Sequence, residues 1–157
     1  MWNKIKPYVI SIAIALSVGA LSALFTKNSM NIYADIVTPP LAPPGWVFPV
    51  VWTILYVLMG ISSAMVYTKY TKQPRIKKTG LGVYALSLAV NFFWSIIFFN
   101  QRAFLFSLLW LILLWVLILV TILRYRKISK IAAYLQIPYL IWVTFALYLN
   151  YMIYILN

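Results

Sequence analysis

The sequence predicts an all-α integral membrane protein, a bundle of five transmembrane helices with its N-terminus in the cytoplasm. Composition is the first reason. Of 157 residues, 65% are hydrophobic and 9% charged, and the mean hydropathy is +0.94; a soluble domain of this size cannot hide that much apolar surface. Patterning is the second. The apolar residues fall into five uncharged stretches, at 7–26, 46–67, 81–99, 103–123 and 131–156, each close to the ~20 helical residues that cross a bilayer core. The third is that charges and most turn residues collect between these blocks. Residues 1–157 therefore read as a single transmembrane domain.

The first block follows Lys4 and Lys6 and contains Ala20-Leu21-Ser22, a passable signal-peptidase site, so a cleaved signal is the competing reading. Its apolar run exceeds the usual signal core of ~7–15 residues. Ser11, Ala15, Gly19 and Ala23 recur every four residues, and such a stripe of small side chains suits a retained helix packed closely on a neighbour. The next segment, 27–45, is long for this chain and carries Pro39, Pro40, Pro43 and Pro44. These stiffen the backbone and restrict the residues before them. A stiff loop of this length acts either as a lid over the helices or as a spacer between two of them.

In the second block Phe48, Trp52, Tyr56 and Ser63 lie near one face, with Gly60 beside it. In the third, Ser87, Asn91 and Ser95 recur every four residues, flanked by Trp94 and Phe98. The fourth is almost wholly Leu, Ile, Val and Trp between Leu108 and Val120, as expected of a helix facing lipid or a second subunit. The fifth repeats Trp142, Ala146 and Asn150 at four-residue spacing, with Pro138 and Tyr139 a turn earlier. An amide in hydrocarbon needs a partner, so Asn91 and Asn150 face the interior: Asn150 as a bond between helices, Asn91 as part of a pocket. Tyr8, Tyr67, Tyr70, Tyr125 and Tyr134 at one interface, and Trp46, Phe104 and Tyr154 at the other, fit aromatic belts. Belts do not account for Trp52 or Trp142. Trp52 lies about 9 Å below Trp46 at ~1.5 Å per residue, with Asn91 and Trp142 nearer mid-bilayer. Together they outline a cavity of flat rings and neutral polar groups beneath the Pro-rich loop, suited to a planar, greasy ligand.

Loop charges set the orientation. Lys4 and Lys6, Lys69 to Lys78, and Arg124 to Lys130 put eleven cations on one side, against Lys27 and Arg102 on the other with Asp35 as the single acid. The positive-inside rule makes the first side cytoplasmic and sends the C-terminus outside, as in a bacterial plasma membrane. Cations dispersed along membrane edges indicate topology and anionic lipid, and no nucleic acid. With no His, no Cys and one carboxylate, the chain lacks a triad, a thiolate, a zinc site and a general acid/base pair, and no metal is expected. Transport would call for repeats or an ionisable relay in the spans, and neither is present.

The run Pro43-Pro44-Gly45-Trp46-Val47-Phe48, continued by Trp52-Thr53-Ile54-Leu55-Tyr56-Val57-Leu58-Met59-Gly60, resembles the signature of the translocator protein family, also called tryptophan-rich sensory proteins or peripheral benzodiazepine receptors. Asn91-Phe92-Phe93-Trp94-Ser95 and Pro138-Tyr139-Leu140-Ile141-Trp142 extend the match over the second, third and fifth spans. The resemblance implies a five-helix bundle, usually a homodimer, that binds porphyrins, sterols or drug-like molecules beneath the first loop. It assigns Tyr33, Pro43, Trp52, Asn91, Trp142 and Ala146 to the pocket, beside Tyr56 and Trp94 from the aromatic pattern. Some bacterial members degrade protoporphyrin IX in light and oxygen, which would make Trp52 and Trp142 the reacting residues. That chemistry needs no acid, base or resident cofactor, because the ligand supplies the excited state. Ile32 and Leu41 stand where relatives often carry Trp, and Pro49-Val50 replaces a Gly-Pro; these differences touch the loop's ligand contacts more than the fold. No cation follows Tyr151, so the sterol pattern of animal members is incomplete.

The leading expectation is therefore a receptor or sensor for protoporphyrin IX or haem, the latter with Met or Tyr as possible ligands. A light-dependent porphyrin-degrading enzyme, a tetrapyrrole transporter and a modulator of other membrane proteins are the alternatives.

Overall fold

The computed structural model describes residues 1–157 and contains six helices: α1 (Trp2–Thr26), a short α2 (Ile32–Asp35), α3 (Val47–Thr68), α4 (Pro74–Ser95), α5 (Phe104–Arg126) and α6 (Lys130–Leu156). The five long ones are each apolar enough to cross a membrane. The expected spans are present, but two start earlier than their apolar cores. α1 takes in Lys4 and Lys6, and α4 begins at Pro74, seven residues before the apolar run. Proline's fixed φ and missing N–H suit the first helical position, and backbone hydrogen bonding continues through Lys77 and Lys78 whatever their side chains. At its far end α4 widens into a π-helical turn, Ile96–Asn100, closed by Gln101 N–H to the Ile96 carbonyl at 3.2 Å. Ser129 caps α6 by accepting from the Ala132 N–H.

Neighbouring helices form a ring in the order α1, α3, α6, α5, α4, with α4 returning to α1. Chain direction alternates, so Lys4, Lys6, the 69–78 segment and the 124–130 segment gather at one end, the basic end. The Pro-rich loop, the Asn100–Ala103 turn and Asn157 gather at the other. The small-residue stripe on α1 is used in part. Ala15 is fully buried, and Gly19 lies against the Tyr56 ring, while Gly60 of α3 meets the Ile12 backbone. Ala23 is exposed, and Ser22 and Thr26 continue the contact. A strict four-residue step gains ~40° per repeat on a 3.6-residue helix, so the stripe rotates off the interface.

The core runs through Leu55, Met59, Leu88, Leu114, Ile118 and Val143. α5 shows both of its faces: Ser107, Leu111, Leu114, Ile118 and Thr121 are buried, while Leu105, Leu109, Ile112 and Val116 point outward. Its uniform composition concealed that division. Tyr125 corrects the belt assignment. It is fully buried, with its hydroxyl 2.9 Å from Ser63 Oγ, because α5 extends past its apolar run and draws Tyr125 between α3 and α4.

Indole and amide groups bind the helices together. Trp110 Nε1 donates to the Val90 carbonyl at 2.7 Å, and Trp115 Nε1 donates to Thr144 Oγ1 at 2.9 Å. Asn150 is the hub expected of it. Its Oδ1 accepts from Ser107 Oγ at 3.0 Å and Trp94 Nε1 at 3.3 Å, and its Nδ2 donates to the Phe104 carbonyl at 2.9 Å. Asn150→Leu strands those donors in the bundle. It should lower stability by about 1–2 kcal/mol, read as a fall of a few degrees in the melting temperature in detergent.

Candidate functional site

The Pro-rich loop is strapped across the end of the bundle. Ile32 of α2 is fully buried and Pro39 is buried. The Val37 N–H donates to Asn157 Oδ1 at 2.9 Å, and Asn157 Nδ2 donates back to the Val37 carbonyl at 3.3 Å. The Tyr148 hydroxyl donates to the Pro40 carbonyl at 3.0 Å. Asp35 pairs with Arg102 at 2.8 Å, half-exposed and so worth little by itself. Of the two positions where relatives often carry Trp, Ile32 is the loop's apolar anchor, whereas Leu41 is exposed with a left-handed φ of 67°. The loop is thus a docked cover rather than a slack spacer.

Beneath it the rings meet. Tyr33 stacks on Phe48 with centroids 5.9 Å apart, and Phe48 meets Trp142 edge-on at 5.9 Å. Trp52 stacks on Tyr56 at 5.6 Å and meets Tyr139 edge-on at 6.0 Å. Asn91 Nδ2 donates to the Tyr56 hydroxyl at 2.8 Å, tying α4 to α3. The structure thus places these residues in two sets of rings, Tyr33, Phe48 and Trp142 in one and Trp52, Tyr56 and Tyr139 with Asn91 in the other. Phe48 and Trp52 are one turn apart on α3, and Tyr139 and Trp142 one turn apart on α6; the two sets together are the aromatic group. Ala146 packs one turn beyond Trp142, and Pro43 is half-buried in the loop. Trp94 belongs to a second group, stacked on Phe98 at 5.4 Å and bonded to Asn150.

The indoles divide by hydrogen bonding. Trp94, Trp110 and Trp115 each donate to a partner. Trp52 and Trp142, both half-buried in the aromatic group, have no partner within the chain. Beside Trp52, the Tyr139 hydroxyl is buried and unpartnered. Buried polar groups are normally satisfied, so the Tyr139 hydroxyl stands out; together with the two half-buried indole N–H groups it is free to donate to an acceptor from outside the chain. A ligand larger than one ring must part these side chains to enter. Among groups outside the spans, burial pushes the Tyr33 phenol up to about 12. Tyr33 therefore adds no pH dependence to loop docking below about 10. Between pH 10 and 12 a released Tyr33 ionises and a docked one does not, so docking weakens as pH rises. The chain has no cysteine, so a dye on a single Ala42→Cys substitution reports this transition, and Tyr33→Phe should abolish it.

Several interior groups had escaped the sequence reading. Ser62 Oγ donates to the Ala132 carbonyl at 2.7 Å and accepts from Gln136 Nε2 at 3.2 Å, a polar seam between α3 and α6. Gln136 is an amide within a predicted span, which is the signal that could have found it. Asn157 and Tyr148, the loop's fasteners, carry no such mark.

Comparison with known proteins agrees with this architecture. Residues 11–156 match the TspO/MBR family. The chain is 38% identical to the tryptophan-rich protein TspO of Chlorobaculum tepidum, over all of this chain and 99% of that one. It is 34% identical to the protein CrtK of Rhodobacter capsulatus, over 88% of this chain and 85% of the relative. The human translocator protein is 35% identical over 76% of this chain and 70% of its own length. Five apolar helices in a ring, a strapped first loop and these matches over most of the sequence lead to one conclusion: the chain is an integral membrane protein of the TspO/MBR family.

Proposed function

We propose that this protein is a membrane receptor for porphyrins, protoporphyrin IX and haem among them, held in the aromatic group beneath the first loop. The observation that carries the reading is the pair of unengaged indoles, Trp52 and Trp142, beside the unpartnered Tyr139 hydroxyl. A macrocycle stacks between such rings, and its ring nitrogens or carboxylates accept from the free N–H and O–H groups. Lys27 and Arg102, the latter paired with Asp35, are the two cations at the loop end, and in this reading they meet the propionate groups. The protein acts as a homodimer in the bacterial plasma membrane, with the basic end in the cytoplasm and the C-terminus outside. Porphyrin, lipid and a second copy are its partners in this reading, and no resident cofactor is needed.

One observation favours a second activity on the same site, light- and oxygen-dependent breakdown of protoporphyrin IX. Trp52 is oxidisable, half-buried and stacked on Tyr56, so an electron lost from its indole is replaceable from an adjacent phenol. Titration of the protein in nanodiscs with protoporphyrin IX separates the two. Saturable quenching of tryptophan fluorescence in the dark supports the receptor; its absence rejects the site. Loss of the porphyrin band under light, faster than in empty nanodiscs, would make the receptor also an enzyme.

A further inference from the structure

At the basic end, away from the aromatic group, α1, α3 and α4 leave a groove of about 460 Å³ between them. Lys6 lines its mouth with Tyr67, and Lys77 Nζ lies 5.8 Å over the Tyr67 ring centroid. No acid offsets these charges, since Asp35, the chain's single carboxylate side chain, belongs to the loop at the opposite end. Deeper in, Ser63 and Tyr84 form part of the wall, and Ile14 and Leu88 carry it onward as apolar surface. From Lys6 to Ile14 the groove follows α1 for about 12 Å at ~1.5 Å per residue, most of the ~15 Å thickness of one hydrocarbon leaflet. Tyr84 is 7% exposed, and its hydroxyl is buried without a partner, while the neighbouring Ser63 hydroxyl is engaged by Tyr125.

We infer that this groove is a binding site for one anionic glycerophospholipid. Its phosphate sits at Lys6 and Lys77, the ester region lies against Tyr84, whose hydroxyl turns from the wall to donate to an ester carbonyl, and an acyl chain lies along Ile14 and Leu88. The order of these features along the groove, cationic, then hydroxylic, then apolar, is the order of chemistry along such a lipid from headgroup to tail. An unesterified phosphate would satisfy only the mouth, and a neutral lipid only the wall.

The test uses the full chain in detergent micelles, with dioleoylphosphatidylglycerol and dioleoylphosphatidylcholine as probes and native mass spectrometry and thermal unfolding as readouts. Wild type should retain one phosphatidylglycerol per chain, with phosphatidylcholine held about fivefold more weakly. Lys6→Gln should remove that preference, whereas Arg126→Gln, on the other cationic segment, should leave it intact. Ala85→Phe, which fills the groove from an exposed position on its wall, should reduce retention of both lipids. Tyr84→Phe should raise the melting temperature without lipid, by removing an unsatisfied hydroxyl, and shrink the increment that phosphatidylglycerol adds. Equal retention of the two lipids by wild type overturns the inference. So does a Lys6→Gln effect no larger than that of Arg126→Gln, an unchanged lipid increment in Tyr84→Phe, or displacement of the lipid by millimolar inorganic phosphate.

Discussion

The Trp52→Ala, Trp142→Ala double variant should bind protoporphyrin IX about 100-fold more weakly than wild type in dark titrations. Each indole offers a large flat face and a free N–H, and losing one such stacking partner costs roughly 1–2 kcal/mol, or about tenfold. The two rings rest on different neighbours, Trp142 on Phe48 and Trp52 on Tyr139, so the two losses should add, apart from what those neighbours absorb on repacking. The Phe, Phe variant keeps a ring at each position but removes the donor and the oxidisable group. It should bind within about tenfold of wild type and lose any light-driven breakdown of the porphyrin. Wild-type affinity in the Ala, Ala protein, with its helical content intact by circular dichroism, would move the ligand away from the aromatic group. Undiminished breakdown in the Phe, Phe protein would remove these indoles from the chemistry.

The second large effect is on assembly. Gly60→Val should lower stability by about 2–3 kcal/mol or more, seen as a drop of about 5–10 °C in the melting temperature. A Cβ at Gly60 would stand 2.5 Å from Ile12 Cα and 2.8 Å from its backbone nitrogen. Both are backbone atoms of α1, so relief requires α1 and α3 to separate rather than one side chain to rotate. Close approach of this kind is how small residues associate helices in lipid, where no hydrophobic drive draws them together. Gly82 has open space around its Cβ direction, and Gly82→Val should leave stability unchanged or raise it slightly, since Val has the better helix propensity. Equal losses from the two substitutions would show that the branched side chain itself, not contact with α1, sets the effect at Gly60.

Hydrophobic blocks, helix count and clustering of the cations at one end were legible in the sequence because each depends on local composition and alternating chain direction. Much of the aromatic group was legible for the same reason: Phe48, Trp52 and Tyr56 share a face of α3 by spacing alone, and Asn91 had to turn inward. What spacing cannot state is which neighbour a face meets. Tyr125 reads as an interfacial anchor from its place beside Arg124 and Arg126, yet the ring order of the helices carries it to Ser63. Trp94 and Trp52 look alike in sequence, but only the positions of Asn150 and Tyr139 decide that the first indole is engaged and the second free.

The loop makes the same division. Four prolines announced a stiff segment, and its stiffness follows from their fixed φ. That it lies docked over the bundle was decided by Ile32, Tyr148 and Asn157, which reach it from 108 or more residues away in the latter two cases. By itself the sequence determined the membrane as solvent, the number of spans and the chemical poverty of the interior, since all three follow from composition and local hydrogen bonding. The tertiary structure alone decided which indoles remain unsatisfied and where the ring of helices opens toward lipid. Those depend on pairwise contacts between helices, and lipid-facing and helix-facing positions can carry the same apolar residues.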